Sequence, residues 1–370
     1  MRDRDRFRGC LIGGAAGDAL GYEVEFWNED RIFRQYGEKG ITAYELHDGK
    51  ALISDDTQMT LFTATGLLLG TTRGMTRGIM GPYSGYIRNS YLDWLKTQTE
   101  RFPLPEGYHY SWLVNVKELF SCRAPGNTCM MSLEAGGNGT LEQPVNHSKG
   151  CGGVMRAAPV GLYFNDRRRP VEEICRIGAE AAAVTHGHIL GWMPAAALAQ
   201  IIHEISQNGD PVYDAVMKTL YTQDEMWPDT DEKETFLELM RKAVDLASGD
   251  RNDLEAIHAL GEGWVAEETL AVAVYCALKY ENDFDRALVA SVNHRGDSDS
   301  TGAVTGNILG AKLGLSGIPE KYTANLELKD VILAVADDLW HDCRMTEYED
   351  GDDPDWGKKY IEMSYSPFRC

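Results

Sequence analysis

Long alanine-rich stretches with helical character are the feature that most limits how this chain can fold. Residues 172–205 read EEICRIGAEAAAVTHGHILGWMPAAALAQIIHEI, and residues 268–280 read ETLAVAVYCALKY. Small apolar residues at this density favour helices that pack closely against one another. Alternating apolar and polar residues, which would indicate strands, are scarce between these runs. The sequence therefore predicts an all-α fold.

Two further segments place their apolar residues on one face of a helix. The first helix is expected to begin after Ser54, because a serine hydroxyl is a good N-cap. The two predicted stripes consist of Leu61, Ala64, Thr65 and Leu68, and of Val331, Ala334, Val335 and Leu339.

The chain shows no internal repeat, low-complexity tract or proline-rich linker that would divide it. Length alone suggests about two or three domains, but without a linker the sequence predicts one compact domain over residues 1–370. Long loops are expected near 27–53, 100–112 and 121–153. The basic segment NDRRRP, at 165–170, is interpreted as a solvated turn.

The charge of the chain limits its partners. The formal net charge is −21, although a hydrophobic fraction of 43% and a charged fraction of 25% are ordinary for a soluble globular protein. Nucleic acids and anionic membranes are recognised through basic patches, so both are excluded as expected partners. Any phosphate-bearing substrate must be held by local donors against an unfavourable long-range field.

Cysteine usage and hydropathy predict a cytoplasmic protein with no membrane partner. The eight cysteines form no C-x-x-C pair, a pattern typical of reduced and mostly buried thiols. The apolar stretch near the N-terminus is interrupted by Asp18, and no segment is long enough to span a bilayer.

An acidic cluster lies in the stretch NHRGDSDSTGAVTG, residues 293–306. Asp297 and Asp299 sit among hydroxyls and glycines, which suits a solvated turn, a calcium loop or part of a catalytic metal site. An EF-hand loop requires glutamate at its twelfth position, where this chain has Ile308. A D-x-D-x-T phosphatase motif should follow an apolar strand, but the residues before Asp297 are polar.

A second cluster, Ser54-Asp55-Asp56-Thr57, stands at the start of the predicted helix. Serine and aspartate there could simply cap the helix and complement its dipole. The distant Asp297–Ser300 cluster has the same chemistry, however, and both precede helix-forming residues. Carboxylate and hydroxyl oxygens are hard ligands that suit magnesium, manganese or calcium. If the two helix starts converge, they would hold a pair of ions about 3.5–4 Å apart.

Four motifs together resemble the ADP-ribosylglycohydrolase family. The resemblance spans positions 9 to 303 and rests on the combination and order of the motifs. They are GCLIGGAAGDALGYEVEF (9–26), SDDTQ (54–58), GCGGVMRAAPVGL (150–162) and GDSDSTGA (296–303). The serine at position 300 resembles the arginine-specific branch of the family more than the serine-specific branch.

The resemblance implies a single orthogonal helical bundle with a binuclear magnesium or manganese centre in a cleft. The implied ligands are Ser54, Asp55, Asp56, Asp297, Asp299 and Ser300. The implied catalytic residues are Asp55, Asp56, Asp299 and Glu25. Glu25 follows Asp18 by seven residues on a loop near the metals, but Glu23 competes for that role, and either Asp55 or Asp299 would act as the base.

The pyrophosphate of ADP-ribose is expected to be held by backbone N–H groups in the glycine-containing segments 124–128 and 149–157. Arg156 would either add charge there or form a structural salt bridge, and Trp264 would either flank the nucleotide or pack in the core. By resemblance, the residues beside the substrate are Gly126, Asn127, Gly152, Gly153, Met155, His186 and Trp264.

The implied activity is hydrolysis of the N-glycosidic bond between ADP-ribose and an arginine side chain of an ADP-ribosylated protein, which releases ADP-ribose. The alternatives are a hydrolase for serine-linked or O-acetyl-ADP-ribose, and a non-catalytic binder with an immunity or structural role. Because both acidic clusters are complete, the enzyme is favoured over the binder.

Overall fold

The computed structural model describes residues 2–164, 169–348 and 351–367. Within these ranges the regular structure is helical, and extended pairing is limited to three isolated bridges. The α-helices are α1 (Arg4–Gly21), α2 (Glu29–Tyr36), α3 (Asp55–Arg77), α4 (Tyr83–Thr99), α5 (Asn127–Glu134), α6 (Ala158–Tyr163), α7 (Val171–Ala183), α8 (Ile189–His203), α9 (Val212–Met226), α10 (Asp231–Ala247), α11 (Asp253–Leu260), α12 (Ala266–Lys279), α13 (Phe284–Val292), α14 (Ser298–Leu313), α15 (Glu320–Thr323), α16 (Lys329–His341) and α17 (Pro354–Tyr360).

Helices α1 and α14 pack antiparallel with their backbones in direct contact. A methyl group added at Gly17 would lie 1.9 Å from the carbonyl oxygen of Gly302, and one added at Gly306 would lie 1.9 Å from that of Gly13. A methyl group added at Gly310 would likewise lie 2.0 Å from the carbonyl oxygen of Gly9. Glycine at every fourth position of both helices thus permits an approach that no larger residue allows.

The predicted helical runs are confirmed. The run 172–205 forms α7 and α8, which are separated at 184–188, and its last two residues begin a short π-helical segment, Glu204–Asn208. The run 268–280 lies within α12 except for its last residue.

The two predicted apolar stripes also lie on helices. Leu61, Ala64, Thr65 and Leu68 are fully buried on α3, and Val331, Val335 and Leu339 are buried on α16. Ala334 is only half-buried.

Two of the three predicted loops contain helices, so that prediction was wrong there. Helix α2 lies within 27–53, where the side chain of Asn28 accepts a hydrogen bond from the backbone N–H of Arg31. Helix α5 lies within 121–153. Both are eight residues long and bury few side chains (only Ile32 in α2), so their apolar periodicity is too short to detect.

The remaining predictions about the chain concern its thiols, its membrane spans and its basic turn. The seven described cysteines are free, and five of them are buried; Cys370 lies outside the described residues. No described helix is both long and apolar enough to cross a bilayer. The basic turn predicted at 165–170 falls largely on residues 165–168, outside the described residues.

Candidate active site

The start of helix α3 is held by a buried carboxylate from helix α1. The side chain of Asp18 accepts hydrogen bonds from the backbone N–H groups of Ser54, at 3.0 Å, and of Thr57, at 3.1 Å. It also accepts one from the Thr57 hydroxyl at 2.5 Å. Ser54 caps the helix as predicted, because its hydroxyl accepts the backbone N–H of Asp56. Asp55 and Asp56 therefore stand in the first turn of α3 with fixed backbones.

The start of helix α14 is fixed by a tight backbone crossing. Gly296 has φ of +127°, and a methyl group there would lie 2.0 Å from the carbonyl oxygen of Glu262. The next N–H, that of Asp297, donates to the same carbonyl oxygen at 2.8 Å. Asp297 then caps α14 by accepting the N–H of Ser300. Asp299 and Ser300 follow in the first turn.

The glycine contact between α1 and α14 brings the two acidic clusters together. Where α1 ends and α14 begins, Gly21 lies against Ser298, whose hydroxyl donates to the carbonyl oxygen of Gly21 at 3.0 Å. The chain leaving α1 then places Glu25 beside the start of α14. Carboxylate oxygens of Glu25, Asp297 and Asp299 all lie within 4.8 Å of one another.

Burial and mutual repulsion dominate the electrostatics of this cluster. Burial, followed by the charge of Asp299, raises the pKa of Asp55, Asp56 and Asp297 well above the usual carboxyl range. The same two causes raise the pKa of Glu25 to about 11. Burial also raises the pKa of Asp299, although hydrogen bonds, one of them from Ser54, oppose this rise.

The carboxylates fit a divalent-cation centre. Glu25 Oε2 and Asp56 Oδ1 are buried, and neither has a hydrogen-bond partner among the described residues. Orphaned anionic oxygens are costly in a protein interior unless a cation or a proton satisfies them. No described lysine or arginine forms an ion pair with this cluster. Hard oxygen donors in this arrangement match the preference of magnesium, manganese or calcium.

These carboxylates form the floor of a cleft of about 330 Å³. Asp55, Asp56, Asp297, Asp299, Ser300 and Glu25 line it together with six of the seven predicted substrate residues, namely Gly126, Asn127, Gly152, Met155, His186 and Trp264. Gly153 does not line the cleft; it packs against α8, where a methyl group would lie 2.6 Å from the carbonyl oxygen of Gly191. Ser54 does not line the cleft either and lies beneath Asp56.

The competing glutamates occupy different environments. Glu25 is 6% exposed and lies in the cleft, whereas Glu23 forms a 2.9 Å contact with the exposed His47 outside it. The geometry favours Glu25 as the acid near the carboxylate cluster.

Several residues that line the cleft were not among the site residues predicted from the sequence. Phe26 stacks on Trp264 across the mouth, with ring centroids 5.9 Å apart, and both rings are exposed. Cys151 and Cys129 line one wall. The N–H of Gly126 donates to Asp55 Oδ2 at 3.2 Å, which links the wall to the carboxylate floor. Two of these places have a signal in the sequence: Phe26 follows Glu25 directly, and Cys151 lies within the predicted phosphate-holding segment 149–157.

A larger groove of about 780 Å³ lies elsewhere, between α11 and α13. Two of the three carboxylates that line it are already paired: Asp253 accepts hydrogen bonds from Tyr275 and Tyr280, and Asp285 pairs with Lys321 at 2.5 Å. Since these groups are satisfied, the smaller cleft is the better candidate for chemistry.

Curated relatives match along most of the chain. ADP-ribosylhydrolase ARH3 of Danio rerio is 26% identical over 367 residues, which covers 90% of this chain and 88% of the relative. The ADP-ribosyl-(dinitrogen reductase) glycohydrolase of Rhodospirillum rubrum is 24% identical over 347 residues, with 90% and 97% covered.

A solved structure described as an ADP-ribosylglycohydrolase-related protein complex superposes with a TM-score of 0.58 at 23% identity. It covers 91% of this chain and 98% of its own, and it shows that the two share a fold. The family model for ADP-ribosylglycohydrolase matches residues 1–349, and the chain therefore belongs to the ADP-ribosylglycohydrolase family.

Proposed function

We propose that this protein hydrolyses the N-glycosidic bond between ADP-ribose and an arginine side chain of an ADP-ribosylated protein. Membership of the family supports a hydrolase that removes ADP-ribose from ADP-ribosylated substrates. The observation that carries the proposal is the set of carboxylates of Glu25, Asp297 and Asp299 on the floor of a cleft with glycine-containing walls, where no described lysine or arginine pairs with them. We propose that residues 1–370 act as one domain, which one continuous core supports.

The family is metal-dependent, and the donor set of the cleft fits divalent cations. The proposed ligands of two Mg²⁺ or Mn²⁺ ions are Ser54, Asp55, Asp56, Asp297, Asp299 and Ser300. When bound, such ions would orient the ribose hydroxyls and lower the pKa of a water molecule near the anomeric carbon.

The carboxylates of the chain would carry the proton and charge steps. Asp55 or Asp299 accepts a proton from the attacking water, because each is a buried carboxylate on the cleft floor. Positive charge that develops on the sugar in the transition state is offset by the surrounding anionic oxygens. The water adds to the anomeric carbon while the bond to the guanidinium nitrogen breaks. That nitrogen keeps the electron pair of the broken bond and takes up the proton that the water lost, so the arginine leaves as a guanidinium.

An arginine leaving group suits the mouth of the cleft. A departing guanidinium is a planar cation with several donors, and it stacks readily on aromatic faces. Glu25 has an unpartnered oxygen to accept one of those donors, and the exposed rings of Phe26 and Trp264 lie beside it. A neutral serine hydroxyl could offer Glu25 a single donor but would not stack on the rings.

The nucleotide would lie along the glycine-containing walls. Gly126, Asn127, Gly152 and Met155 are the proposed contacts, together with His186 and Trp264. Gly153, also expected beside the substrate, would act indirectly by letting this wall pack on α8.

A linkage panel tests the proposal. Peptides with ADP-ribose on arginine, serine or glutamate are incubated with the full chain and magnesium, and free ADP-ribose is measured. We expect release from the arginine-linked peptide, at a rate at least about tenfold above the others, which corresponds to about 1.4 kcal/mol of discrimination. Preferential release from the serine-linked peptide would overturn the arginine assignment, and no release from any peptide would favour a binder.

A further inference from the structure

Arg156 is a buried cation beside the candidate nucleotide wall, and it has no anionic partner in the part of the chain that the structure describes. Its side chain is fully buried, and no described carboxylate lies within ion-pair distance. The guanidinium instead lies 4.3 Å from the ring centroid of Tyr91 and donates to the Ala181 carbonyl oxygen at 3.1 Å. It also donates to Thr185 Oγ1 at 2.7 Å. The sequence left two roles open for Arg156, namely added charge near the substrate or a structural salt bridge. No described carboxylate forms that salt bridge, so the first role remains.

The hydrogen bonds of Thr185 determine where its single hydroxyl proton points. Since a guanidinium only donates, Thr185 Oγ1 accepts from Arg156 and is free to donate its own proton. The acceptors within reach are His186 Nδ1 at 2.8 Å, the Ala182 carbonyl oxygen at 3.5 Å and Cys129 Sγ. The sulfur is a weak acceptor and already receives an N–H of Arg156 at 3.3 Å. That carbonyl oxygen already accepts the backbone N–H groups of Thr185 and His186. The hydroxyl therefore donates to His186 Nδ1.

This hydrogen bond decides the tautomer of His186. If Nδ1 accepts a proton from Thr185, the proton of a neutral ring must be on Nε2. His186 is 2% exposed and lines the cleft, and Nε2 has no partner among the described residues. Methyl groups built at Gly150 and Gly152 would lie 3.4 Å and 3.3 Å from Nε2, so this atom faces the glycine-containing wall. Burial, together with the charge of Arg156, lowers the pKa of His186 to about 3, which keeps the ring neutral.

We infer that Arg156 and Thr185 are positioning residues that hold His186 as a neutral Nε2–H donor for a pyrophosphate oxygen of ADP-ribose. This inference rests on the proposed function, because it names how that site receives the phosphate. The unpaired charge of Arg156 lies directly behind Thr185, so it also supplies a positive field in a chain of net charge −21. Together the three residues would supply a local donor and a local positive charge for an anionic ligand in a protein of strongly negative net charge.

Ring nitrogen spectra of the full chain test the tautomer without any ligand. Two-bond ¹H–¹⁵N correlation spectra distinguish Nε2–H, Nδ1–H and protonated imidazole, and a His186→Gln variant assigns the signal among the nine histidines. We expect neutral Nε2–H in the wild type at neutral pH. A Thr185→Val variant, which lacks the hydroxyl but keeps the branched shape, should show increased Nδ1–H. Thr185→Ser should restore the wild-type spectrum.

Binding of ADP-ribose, measured by calorimetry on the same variants, tests the donor role. We expect Thr185→Val to weaken ADP-ribose binding about tenfold, as the loss of one hydrogen bond to a charged group predicts, and Thr185→Ser to restore it. Thr219→Val is the matched control, since Thr219 is a fully buried threonine on α9 that donates only to its own helix. That variant should bind ADP-ribose as the wild type does.

Several results would overturn the inference. A wild-type His186 found as Nδ1–H or as a cation would do so, and so would a Thr185→Val variant that retains Nε2–H. Unchanged ADP-ribose affinity after a shift of tautomer would remove the donor role. If the wild type did not bind ADP-ribose at all, the proposed function and the donor role would fail together, while the ring spectra would still decide whether Arg156 and Thr185 set the tautomer.

Discussion

The role of each buried carboxylate in this protein depends on how many hydrogen bonds it accepts. Asp18 is fully buried, yet the N–H groups of Ser54 and Thr57 and the Thr57 hydroxyl satisfy it. Asp56 is buried to nearly the same degree, but one of its oxygens has no partner among the described residues. The first arrangement joins two helices, and the second is suited to a cation. Residue type alone does not separate these roles.

The first prediction at the residue scale concerns the proposed base. Asp299→Ala, and separately Asp55→Ala, should lower the rate of ADP-ribose release at least about 10²–10³-fold, because each removes a carboxylate on the cleft floor. Release is measured with magnesium, and circular dichroism should retain the helical signal.

Asp214→Asn is the control for Asp299→Ala and Asp55→Ala, since Asp214 is an exposed aspartate in the first turn of α9. It should leave the rate unchanged. An Asp299→Ala enzyme as fast as the wild type would refute the assignment of the centre.

Glu25 and Glu23 provide a matched pair of neighbouring glutamates. Glu25→Gln should lower the rate of release from an arginine-linked peptide about 10-fold or more, because an amide replaces the carboxyl group proposed to hold the guanidinium and turns one of its two oxygens into a donor. Glu23→Gln should change the rate less than about twofold, since Glu23 lies outside the cleft against His47. Steady-state rates on the same peptide decide between them, and a larger loss for Glu23→Gln would reverse the assignment.

At the scale of elements, the contact between α1 and α14 determines the site. Glycines at intervals of four let the two backbones touch, so that the end of α1 lies beside the start of α14. Asp18 then joins the same helix α1 to the start of α3. Helix α1 is therefore the element that positions both acidic helix starts.

Gly306→Ala tests this contact. The added methyl carbon would lie 1.9 Å from the backbone oxygen of Gly13, so the helices must separate. We expect a loss of about 3 kcal/mol in the free energy of unfolding, which is typical of overpacking, and a loss of activity as Asp299 moves from the carboxylates of α3. Urea denaturation measures the first effect and ADP-ribose release the second.

Gly85→Ala is the control for Gly306→Ala. Gly85 is also helical, in α4, but an added methyl group would meet no atom within 4 Å. It should stabilise the fold by about 0.5–1 kcal/mol, because alanine has less conformational freedom to lose than glycine. If the two substitutions changed the free energy of unfolding and the rate of ADP-ribose release equally, the close contact between α1 and α14 would not be required for either.

At the scale of the whole molecule, the proposed binding of a metal by the acidic cluster should contribute to stability. Buried carboxylates that repel one another oppose folding, and a cation that binds only the folded chain relieves this repulsion. Magnesium or manganese should therefore raise the thermal midpoint, by the equivalent of about 2.7 kcal/mol at a hundred times the dissociation constant. EDTA should abolish ADP-ribose release, and either metal should restore it.

Differential scanning calorimetry measures the thermal midpoint, with Asp299→Ala as the variant that should lose the magnesium effect. A wild-type midpoint that is the same in EDTA and in magnesium, together with full activity in EDTA, would contradict the metal centre.

Much of the fold could be predicted because helical periodicity and capping are local properties. The stripe on α3 and the cap at Ser54 were predicted in this way and are confirmed. Helices α2 and α5 were missed because eight residues contain too little periodicity to detect. The glycine spacing in α1 was visible in the sequence, but its partner in α14 lies almost three hundred residues away.

The sequence by itself determined the helical class, the two acidic helix starts and the family, since these depend on residue types, short spacings and the order of motifs. Only the tertiary structure decided that Glu25 and not Glu23 faces the cluster, that Gly153 lies behind the wall, and that Arg156 forms no ion pair with a described carboxylate. The physical reason is that each of these depends on distances between atoms from remote segments. Helix packing fixes those distances, and local pattern does not contain them.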